Sequence, residues 1–373
     1  MKNYRIAIVR RDLGIFGGIE NQILKIAKLI LDSEGEVYFF TDNKNSKLAR
    51  ELTSLGVSIE IIRFNFTINC FNNLKRICIK NRIQLIQTHM FKEAMVVSMM
   101  RFFYRNVKHV YRVHTYIDCS SISGIKKIAY HIISKLLSFN VDYYISINQF
   151  NVDEMVNRSR INIDKISIVS DIVDSIGVPD NLKNRLWPAK KIAMIANFIQ
   201  GKGHDTLIKG ISVLKKKGFL IYVKLIGGSP NGQESFENNI RKLAIELNVI
   251  DQLEFCGFRE NISEELIDCS IVVLPSDSEG TPNCILEAMS LKKIVIVSRV
   301  GGVPEFLKNG INGFYHEPKS PEAFAETLIE ALSCSREKMI EISENGFKTW
   351  EEFTIENVGP KLKNIYQSVL EEE

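Results

Sequence analysis

Short apolar runs rich in β-branched residues alternate with helix-length segments along almost the whole chain, and this alternation limits the possible folds more than any other feature. The runs cover residues 4–9, 37–41, 57–62, 85–88, 109–113, 143–147 and 166–169 in the first half, and residues 192–195, 222–226, 253–255, 271–274 and 294–297 in the second. Strands joined through helix-length segments pair in parallel, as βαβ units. The pattern therefore predicts an α/β protein built on parallel sheets.

The chain is long enough for two domains. At 373 residues it exceeds one comfortable hydrophobic core, and the turn-rich stretch 170–188, the expected linker, interrupts the alternation. We therefore expect two tandem Rossmann-like domains, residues 1–180 and 187–350, that face each other across a cleft. The last helical stretch, residues 351–373, has no strand after it and is expected to cross back to the first domain.

Composition excludes several classes of protein and indicates a compartment. Hydrophobic residues at 45% and charged residues at 25% are values of globular proteins, which excludes a disordered or fibrous chain. The seven cysteines are scattered and form no CxxC pair, which favours reduced thiols over disulfides or zinc. The chain also leads directly from Met1 into the first apolar run, without the pattern of a signal peptide. The cytoplasm is therefore the expected location.

Positive charge is concentrated in the first half of the chain. Residues 1–180 carry 25 Lys and Arg against 17 Asp and Glu, whereas residues 181–373 carry 23 against 27. Residues 71–140 alone hold twelve basic side chains and only two acidic ones. Such a surface attracts anions. Nucleic acid is not the expected partner, because no helix-turn-helix or RNP-like pattern is present to read bases.

An anionic membrane surface fits this charge better. Residues 95–105 and 125–130 mix apolar and basic residues at helical spacing, and neither stretch is long enough to span a bilayer. Two ordinary helices packed on a sheet, with lysines reaching water, explain the same pattern equally well. The expected location is therefore the cytoplasm, and peripheral attachment to the inner face of the membrane stays an open alternative.

The clearest chemical signal lies in residues 278–289, where a strand gives way through a loop to a helix that starts near Pro282. The first N–H groups of a helix have no partner inside it, so those within residues 281–284, where Pro282 has none, could hold an anion such as a diphosphate. Glu279 follows the strand end, and Glu287 lies about one turn into the helix, where a carboxylate can accept hydrogen bonds from ligand hydroxyls. An acidic loop followed by a helix with an exposed glutamate is the ordinary structural explanation.

Glycine-rich turns follow four of the predicted strands. They cover residues 14–21, 201–204, 227–229 and 301–305. Glycine lets the backbone approach a phosphate closely, and Lys202 in the second turn could neutralise a diphosphate. The first turn lacks the G-x-G-x-x-G spacing, so dinucleotide binding is disfavoured.

Two histidines, His89 and His114, end strands of the first predicted domain. Either could contact a sugar hydroxyl or move a proton, although a buried structural histidine is the commoner case. No Cys or His cluster predicts a catalytic metal. Residues 277–279 resemble the acidic element with which some sugar transferases hold a divalent cation, but the helix start beside them already suits a diphosphate. We therefore expect neither a metal nor a cofactor.

Taken together, these features resemble the family 4 retaining glycosyltransferases of the GT-B fold. The resemblance rests on residues 17–20, His114, 202–203, 257–259, 275–289, 301–305 and 312–314. It covers nearly the whole chain and is strongest between residues 190 and 335.

The resemblance implies roles for individual residues. It implies that Lys202 contacts the diphosphate of a nucleotide sugar, that Glu287 binds the ribose and that Glu279 lies near the anomeric carbon of the donor sugar. His114 would touch the donor sugar and form the catalytic set with Glu279 and Lys202. The positions that complete the site are Gly17, Gly18, Asn197, Arg259, Gly280, Thr281, Pro282 and Asn283 on the donor side, and Glu20 and His89 on the acceptor side.

The sequence departs from the family pattern at Asn197. The family commonly has an arginine there, which joins the lysine on the diphosphate, whereas an amide offers a hydrogen bond without charge. Another cation, such as Arg259 or Arg299, would then contribute. Residues 168–174 also depart from the usual sequence at the hinge.

The expected function is transfer of a hexose-type unit from a nucleoside diphosphate sugar to a saccharide, with retention at the anomeric carbon. A UDP-sugar is favoured over a GDP-sugar, and the expected acceptor is lipid-linked, as in the assembly of surface polysaccharide or lipopolysaccharide. Two alternatives stay open: a nucleotide-sugar 2-epimerase of the same fold, and a non-catalytic subunit that binds sugar nucleotides. A phosphorylase with pyridoxal phosphate fits less well, because the chain is short and shows no lysine site for that cofactor.

Overall fold

The computed structural model describes residues 4–14, 16–115, 125–177, 191–229 and 234–372, without the side chains of Lys126 and Lys127. The chain divides into two compact units, one formed by Met1–Ile172 with Glu356–Glu373 and the other by Val173–Ile355. The division thus falls inside the expected linker, of which residues 178–188 lie outside the described part of the chain.

A parallel sheet of seven strands forms the centre of the first unit. The strands are β1 (Arg5–Val9), β2 (Glu36–Thr41), β3 (Ser58–Ile61), β4 (Leu85–Thr88), β5 (Lys108–Val113), β6 (Tyr143–Ser146) and β7 (Ile166–Ile168). The helices are α1 (Gly18–Leu31), α2 (Lys47–Ser54), α3 (Ile68–Lys80), α4 (Phe91–Arg101), α5 (Ile125–Leu137) and α6 (Gln149–Ser159). The strand order is β3-β2-β1-β4-β5-β6-β7.

The second unit has a parallel sheet of six strands. The strands are β8 (Lys191–Ile195), β9 (Tyr222–Ile226), β10 (Leu253–Gly257), β11 (Ile271–Leu274), β12 (Ile294–Ser298) and β13 (Phe314–His316), in the order β10-β9-β8-β11-β12-β13. The helices are α7 (His204–Lys216), α8 (Glu234–Glu246), α9 (Ile262–Glu265), α10 (Asn283–Ser290), α11 (Val303–Phe306), α12 (Pro321–Ser333) and α13 (Arg336–Glu351). Helix α14 (Ile355–Glu371) then returns the chain to the first unit.

The central strands are buried along their whole length, and this explains why the sequence signal was clear. Strands β4, β11 and β12 are buried at every position, which requires cover on both faces of the sheet. Such strands read as continuous apolar runs rather than as alternating patterns. The predicted α/β fold with two parallel sheets is confirmed, and the sequence missed only the short edge strand β13 among those that the described residues form.

The strand order determines where each unit can bind a ligand. In the first sheet the direction of winding changes between the neighbours β1 and β4, and in the second it changes between β8 and β11. Ligands of open parallel sheets bind beyond the carboxyl ends of the strands at such a switch point. Several predicted site residues follow these four strands: Gly17 and His89 come after β1 and β4, and Lys202 and Glu279 come after β8 and β11. His114 and Arg259 instead follow β5 and β10.

Candidate functional site

Lys202 and Glu279 form an ion pair at the carboxyl edge of the second sheet. Lys202 Nζ lies 2.8 Å from Glu279 Oε1, and the Ser276 hydroxyl donates to the same oxygen over 2.6 Å. The Glu279 side chain is 8% exposed and that of Lys202 is 31% exposed. Burial alone would lower the pKa of Lys202, but the Glu279 carboxylate outweighs it and raises this pKa above its ordinary value. Lys202 is therefore a fixed positive charge at neutral pH.

Two glycines hold the backbone that carries this pair. Gly203 has a φ of +79°, and a Cβ there would lie 1.8 Å from the carbonyl oxygen of Pro275. Gly301 has a φ of +51°, and a Cβ there would lie 1.7 Å from the carbonyl oxygen of Glu279. Both positions exclude other residues by backbone conformation and by space. Close backbone packing of these turns therefore sets where the two charged side chains lie.

Helix α10 begins just after Glu279 and has no side-chain cap. Its N-cap residue is Pro282, whose side chain makes no capping hydrogen bond. Asn283, the first residue of the helix, has a buried Oδ1 atom without a hydrogen-bond partner. An uncapped helix start leaves backbone N–H groups and the positive end of the helix dipole for an anion. The start of α10 thus lies within the predicted anion site at residues 281–284, and the binding of an anion there stays a prediction.

Four titratable groups gather around this helix start. Burial raises the pKa of the Cys284 thiol to about 12, the Glu279 and Glu287 carboxylates add to this effect, and the Lys202 ammonium opposes it. Such mutual influence requires that the groups lie within a short distance of one another. The Cys284 side chain therefore lies near both glutamates and the lysine that the sequence singled out.

Asn197 connects two loops of the second unit. Its Oδ1 atom accepts a hydrogen bond from the Gly228 N–H over 3.3 Å, and the neighbouring Phe198 N–H donates to the Gly228 carbonyl oxygen over 2.9 Å. The amide therefore has a structural contact that holds the β8 and β9 exits together. An arginine could not accept this bond.

The two arginines that could replace the missing charge are engaged elsewhere. Arg259 Nε donates to Glu265 Oε1 over 2.8 Å at an exposed position. The Arg299 guanidinium lies 5.3 Å from the centre of the Tyr315 ring. Of the three cations that were predicted to contact the diphosphate, Lys202 is therefore the one that lies beside the start of α10.

In the first unit, Glu20 ties the glycine turn to the sheet. Its Oε1 atom lies 2.7 Å from Arg10 Nη2 in a buried ion pair, and its Oε2 atom accepts a hydrogen bond from the Gly17 N–H over 3.0 Å. Gly17 is the N-cap residue of α1, which begins at Gly18. Glu20 thus fixes the conformation of this turn from within the helix, as the acidic member of a capping box does.

A chain of buried hydrogen-bonding groups links β4 to α14. The Tyr366 hydroxyl lies 2.5 Å from Gln87 Oε1, and Gln87 Nε2 lies 2.8 Å from His89 Nε2. His89 Nδ1 lies 2.9 Å from His114 Nε2, and His114 Nδ1 lies 3.6 Å from Asp171 Oδ1. Tyr366 donates to Gln87 Oε1, so the Gln87 amide nitrogen is left to donate to His89 Nε2, and His89 then carries its proton on Nδ1, beside His114.

Arg112 anchors the acidic end of this chain. Its fully buried guanidinium donates to Asp171 Oδ1 over 3.0 Å and to the Ser170 carbonyl oxygen over 2.9 Å. Burial alone would raise the pKa of Asp171, but His114 and Arg112 outweigh it and lower this pKa below its ordinary value. Burial lowers the pKa of His89 well below its ordinary value; Arg112 and Arg10 act in the same direction, and the Asp171 carboxylate opposes them without outweighing burial. His89 is therefore neutral and Asp171 is ionised.

Two family models match the chain over separate segments. The model described as Glycosyltransferase Family 4 matches residues 16–175, and the model described as Glycosyl transferases group 1 matches residues 183–349. The chain belongs to the family 4, group 1 glycosyltransferases.

Individual members of this family are distant relatives. An uncharacterized glycosyltransferase of Haemophilus influenzae is 30% identical over 196 residues, which are 51% of this chain and 54% of the relative. The N,N'-diacetylbacillosaminyl-diphospho-undecaprenol alpha-1,3-N-acetylgalactosaminyltransferase of Campylobacter jejuni is 25% identical over 180 residues, 48% of this chain and 45% of the relative. The chain thus spans about half the length of the curated relatives it matches.

This glycosyltransferase is similar in structure to solved glycosyltransferases over nearly its whole length. The crystal structure of Anabaena HepE in complex with UDP matches with a TM-score of 0.83 at 17% identity, and the match covers 99% of this chain and 100% of HepE. At this identity the likeness shows the fold. The glycosyltransferase therefore has the GT-B fold that the resemblance implied.

The predicted site residues of this glycosyltransferase lie in two sets, one in each unit. Lys202 and Glu279 form an ion pair beside the start of α10, and Glu287 lies within that helix, near Cys284. Arg259 is instead paired with Glu265. In the first unit, His89 and His114 lie within the buried chain, and both ring nitrogens of each are used there. The donor-side and acceptor-side roles of all these residues stay predictions.

Several residues without a predicted role hold the predicted site residues in place. They are Arg10, Gln87, Arg112, Asp171, Ser276 and Tyr366. Ser276 could have been found, because it lies between a buried strand and Glu279. Tyr366 could not, since it lies 279 positions from its partner Gln87 and no local pattern connects the two.

Replacing Gly17 by alanine is expected to leave the melting temperature of the glycosyltransferase nearly unchanged and to slow transfer about tenfold to hundredfold. The φ of Gly17 is −147°, which is extended backbone, and an added Cβ would find only Glu20 Oε2, at an ordinary 3.7 Å. The fold therefore does not require glycine at position 17. A ligand that approaches the backbone closely there would require it. Melting curves and transfer rates measure the two effects separately.

Gly203→Ala provides the contrasting variant. An added Cβ has no space at this position, so the melting temperature of the variant is expected to fall. Wild-type transfer by Gly17→Ala would show that no ligand approaches Gly17 closely.

Proposed function

We propose that the protein transfers a sugar from a UDP-sugar to a saccharide acceptor, with retention at the anomeric carbon. The ion pair of Lys202 and Glu279 beside the uncapped start of α10 is the observation that carries this proposal. An ammonium group and a helix start together suit a diphosphate, the part that all nucleoside diphosphate sugars share. A carboxylate beside them suits the hydroxyl groups of the attached sugar.

In the proposed reaction, the bond between the anomeric carbon and the diphosphate oxygen breaks while a bond to the acceptor oxygen forms. Negative charge grows on the diphosphate, and the Lys202 ammonium and the first N–H groups of α10 stabilise it. The acceptor hydroxyl gives its proton to the departing phosphate oxygen. Glu279 holds Lys202 in position before the donor binds, and the diphosphate then competes for the same ammonium group.

The comparisons support the donor and acceptor classes in this proposal. HepE, which shares the fold, was crystallised with UDP, and the name of the Campylobacter jejuni relative describes an acceptor on diphospho-undecaprenol. A UDP-sugar donor, a hexose-type unit and a lipid-linked acceptor of surface polysaccharide or lipopolysaccharide assembly are therefore our proposal for this chain.

Thermal-shift measurements with UDP-, GDP- and ADP-sugars test the donor class. A ligand that binds the native protein stabilises it by about 2.7 kcal/mol at a concentration one hundred times its dissociation constant. UDP-sugars are expected to raise the melting temperature and the other two classes are not. A shift with GDP- or ADP-sugars alone, or with none of the three, would contradict the proposed donor.

Analysis of the products separates transfer from its alternatives. A transferase releases UDP and elongates an added acceptor, whereas a 2-epimerase converts the sugar nucleotide itself without an acceptor. A non-catalytic subunit binds the nucleotide and leaves it intact. Release of UDP that increases when lipid-linked saccharides are added is the expected result.

A further inference from the structure

Helix α5 exposes an apolar stripe along its whole length. The stripe consists of Ile125, Ile128, Ile132 and Leu136, with exposed fractions of 86%, 61%, 56% and 58%. Their spacing places them on one face of the helix. On the opposite face Ser134 and Leu137 are buried, so α5 is packed on the first unit and presents this stripe outward.

Phenylalanines extend the stripe at the end of α5. Phe139 lies two residues beyond the end of α5, and Phe102 and Phe103 follow α4; all three are well exposed. The two ends are joined because Arg101 Nη1 donates a hydrogen bond to the Asn140 carbonyl oxygen. We call the four stripe residues together with Phe102, Phe103 and Phe139 the α5 face.

Ordinary packing on the sheet does not account for this face. The other basic and apolar stretch of the sequence forms α4, whose residues Val96, Val97 and Met100 are fully buried. Packing against the rest of the first unit therefore explains the apolar residues of α4. On α5 four of the six isoleucine and leucine side chains are exposed instead, and contiguous exposed apolar surface of this kind marks an interaction site.

The charge around the α5 face indicates which partner covers it. The sequence has no acidic residue between positions 119 and 141, and α5 itself carries Lys126, Lys127 and Lys135. A helix with an apolar face, several lysines and no acidic residue suits an anionic lipid surface, into which such faces sink about 5–10 Å. Among the described helices none has the length and apolar character needed to cross a bilayer.

We propose that the α5 face docks the protein onto an anionic bilayer by inserting its isoleucine, leucine and phenylalanine side chains below the lipid headgroups. The docking deepens the proposed function, because it would bring the enzyme to the surface where a lipid-linked acceptor lies. It is measured without any transfer reaction, so its failure and the failure of the proposed function are distinguishable.

Flotation with lipid vesicles tests the proposal. The full chain is mixed with vesicles of phosphatidylcholine alone or of phosphatidylcholine with phosphatidylglycerol, and the bound fraction is measured. Wild-type protein is expected to bind the anionic vesicles, and the double substitution Ile128→Gln/Ile132→Gln is expected to weaken binding about tenfold or more. Glutamine is a good helix former, so the exposed helix should persist.

The matched control is Ile245→Gln/Ile340→Gln, which changes two exposed isoleucines on helices of the second unit. It is expected to bind like the wild type. UDP-induced stabilisation in both double variants would show that the second unit remains intact.

Three results would overturn the proposal. One is equal vesicle binding by both double variants, and another is no binding by the wild type. The third is self-association in lipid-free sedimentation that only the α5 substitutions abolish, with no vesicle binding, since this would assign the face to a second copy of the chain.

Discussion

Replacing Lys202 by alanine is expected to slow sugar transfer about a hundredfold to a thousandfold, the usual cost of removing one group that stabilises charge in a transition state. Lys202 is the cation beside the start of α10, and Asn197 and Arg259 have structural partners of their own. The fold should survive, because Gly203 and the backbone around it determine the turn. Initial rates of UDP release with saturating acceptor measure the effect.

Glu279→Ala is expected to produce a loss of similar size through a different contact. The substitution removes the carboxylate that faces Lys202 and Ser276, and with it the proposed contact to the donor sugar. Lys209→Ala is the control for both variants, since this lysine lies on the neighbouring helix α7 in an exposed pair with Asp205. Wild-type turnover in Lys202→Ala or Glu279→Ala would remove the proposed mechanism.

Replacing Asp171 by alanine is expected to destabilise the first unit by about 3–5 kcal/mol, because it leaves the Arg112 guanidinium buried without a charged partner. Urea unfolding followed by circular dichroism measures the loss. The control is Glu36→Ala, which breaks the exposed pair with Arg5 in the same unit and is expected to cost much less stability than Asp171→Ala.

A second variant separates the buried charge from general damage to the fold. Arg112→Met/Asp171→Leu removes both charges and is expected to recover most of the lost stability. An equal loss of unfolding free energy in Asp171→Ala and Glu36→Ala would show that leaving Arg112 buried without Asp171 does not destabilise the first unit.

The same carboxylate gives the stability a defined dependence on pH. The pKa of Asp171 is lowered in the folded protein, so the unfolded chain binds the proton more readily. The contribution of Asp171 to stability is therefore complete above about pH 4, near the ordinary pKa of an aspartate, and is lost as the pH falls further. Asp171→Ala should lack this part of the acid dependence.

Local sequence patterns were reliable for the sheets and for the glycine turns. A fully buried parallel strand must be apolar throughout, so β4, β11 and β12 were recognisable as short runs. The turn at Gly203 was recognisable because the backbone there tolerates no side chain. The three-residue strand β13 escaped notice, because a strand so short carries too little pattern.

The sequence by itself thus determined the α/β class, the two parallel sheets and the turns that carry Lys202 and Glu279, since each depends on neighbouring residues. Only the tertiary structure showed that these two side chains, 77 positions apart, share one contact, that Tyr366 reaches Gln87, and that α4 buries its apolar face while α5 exposes it. The reason is physical. Which strands become neighbours, and which helix faces they cover, depends on contacts between distant segments, which no local pattern records.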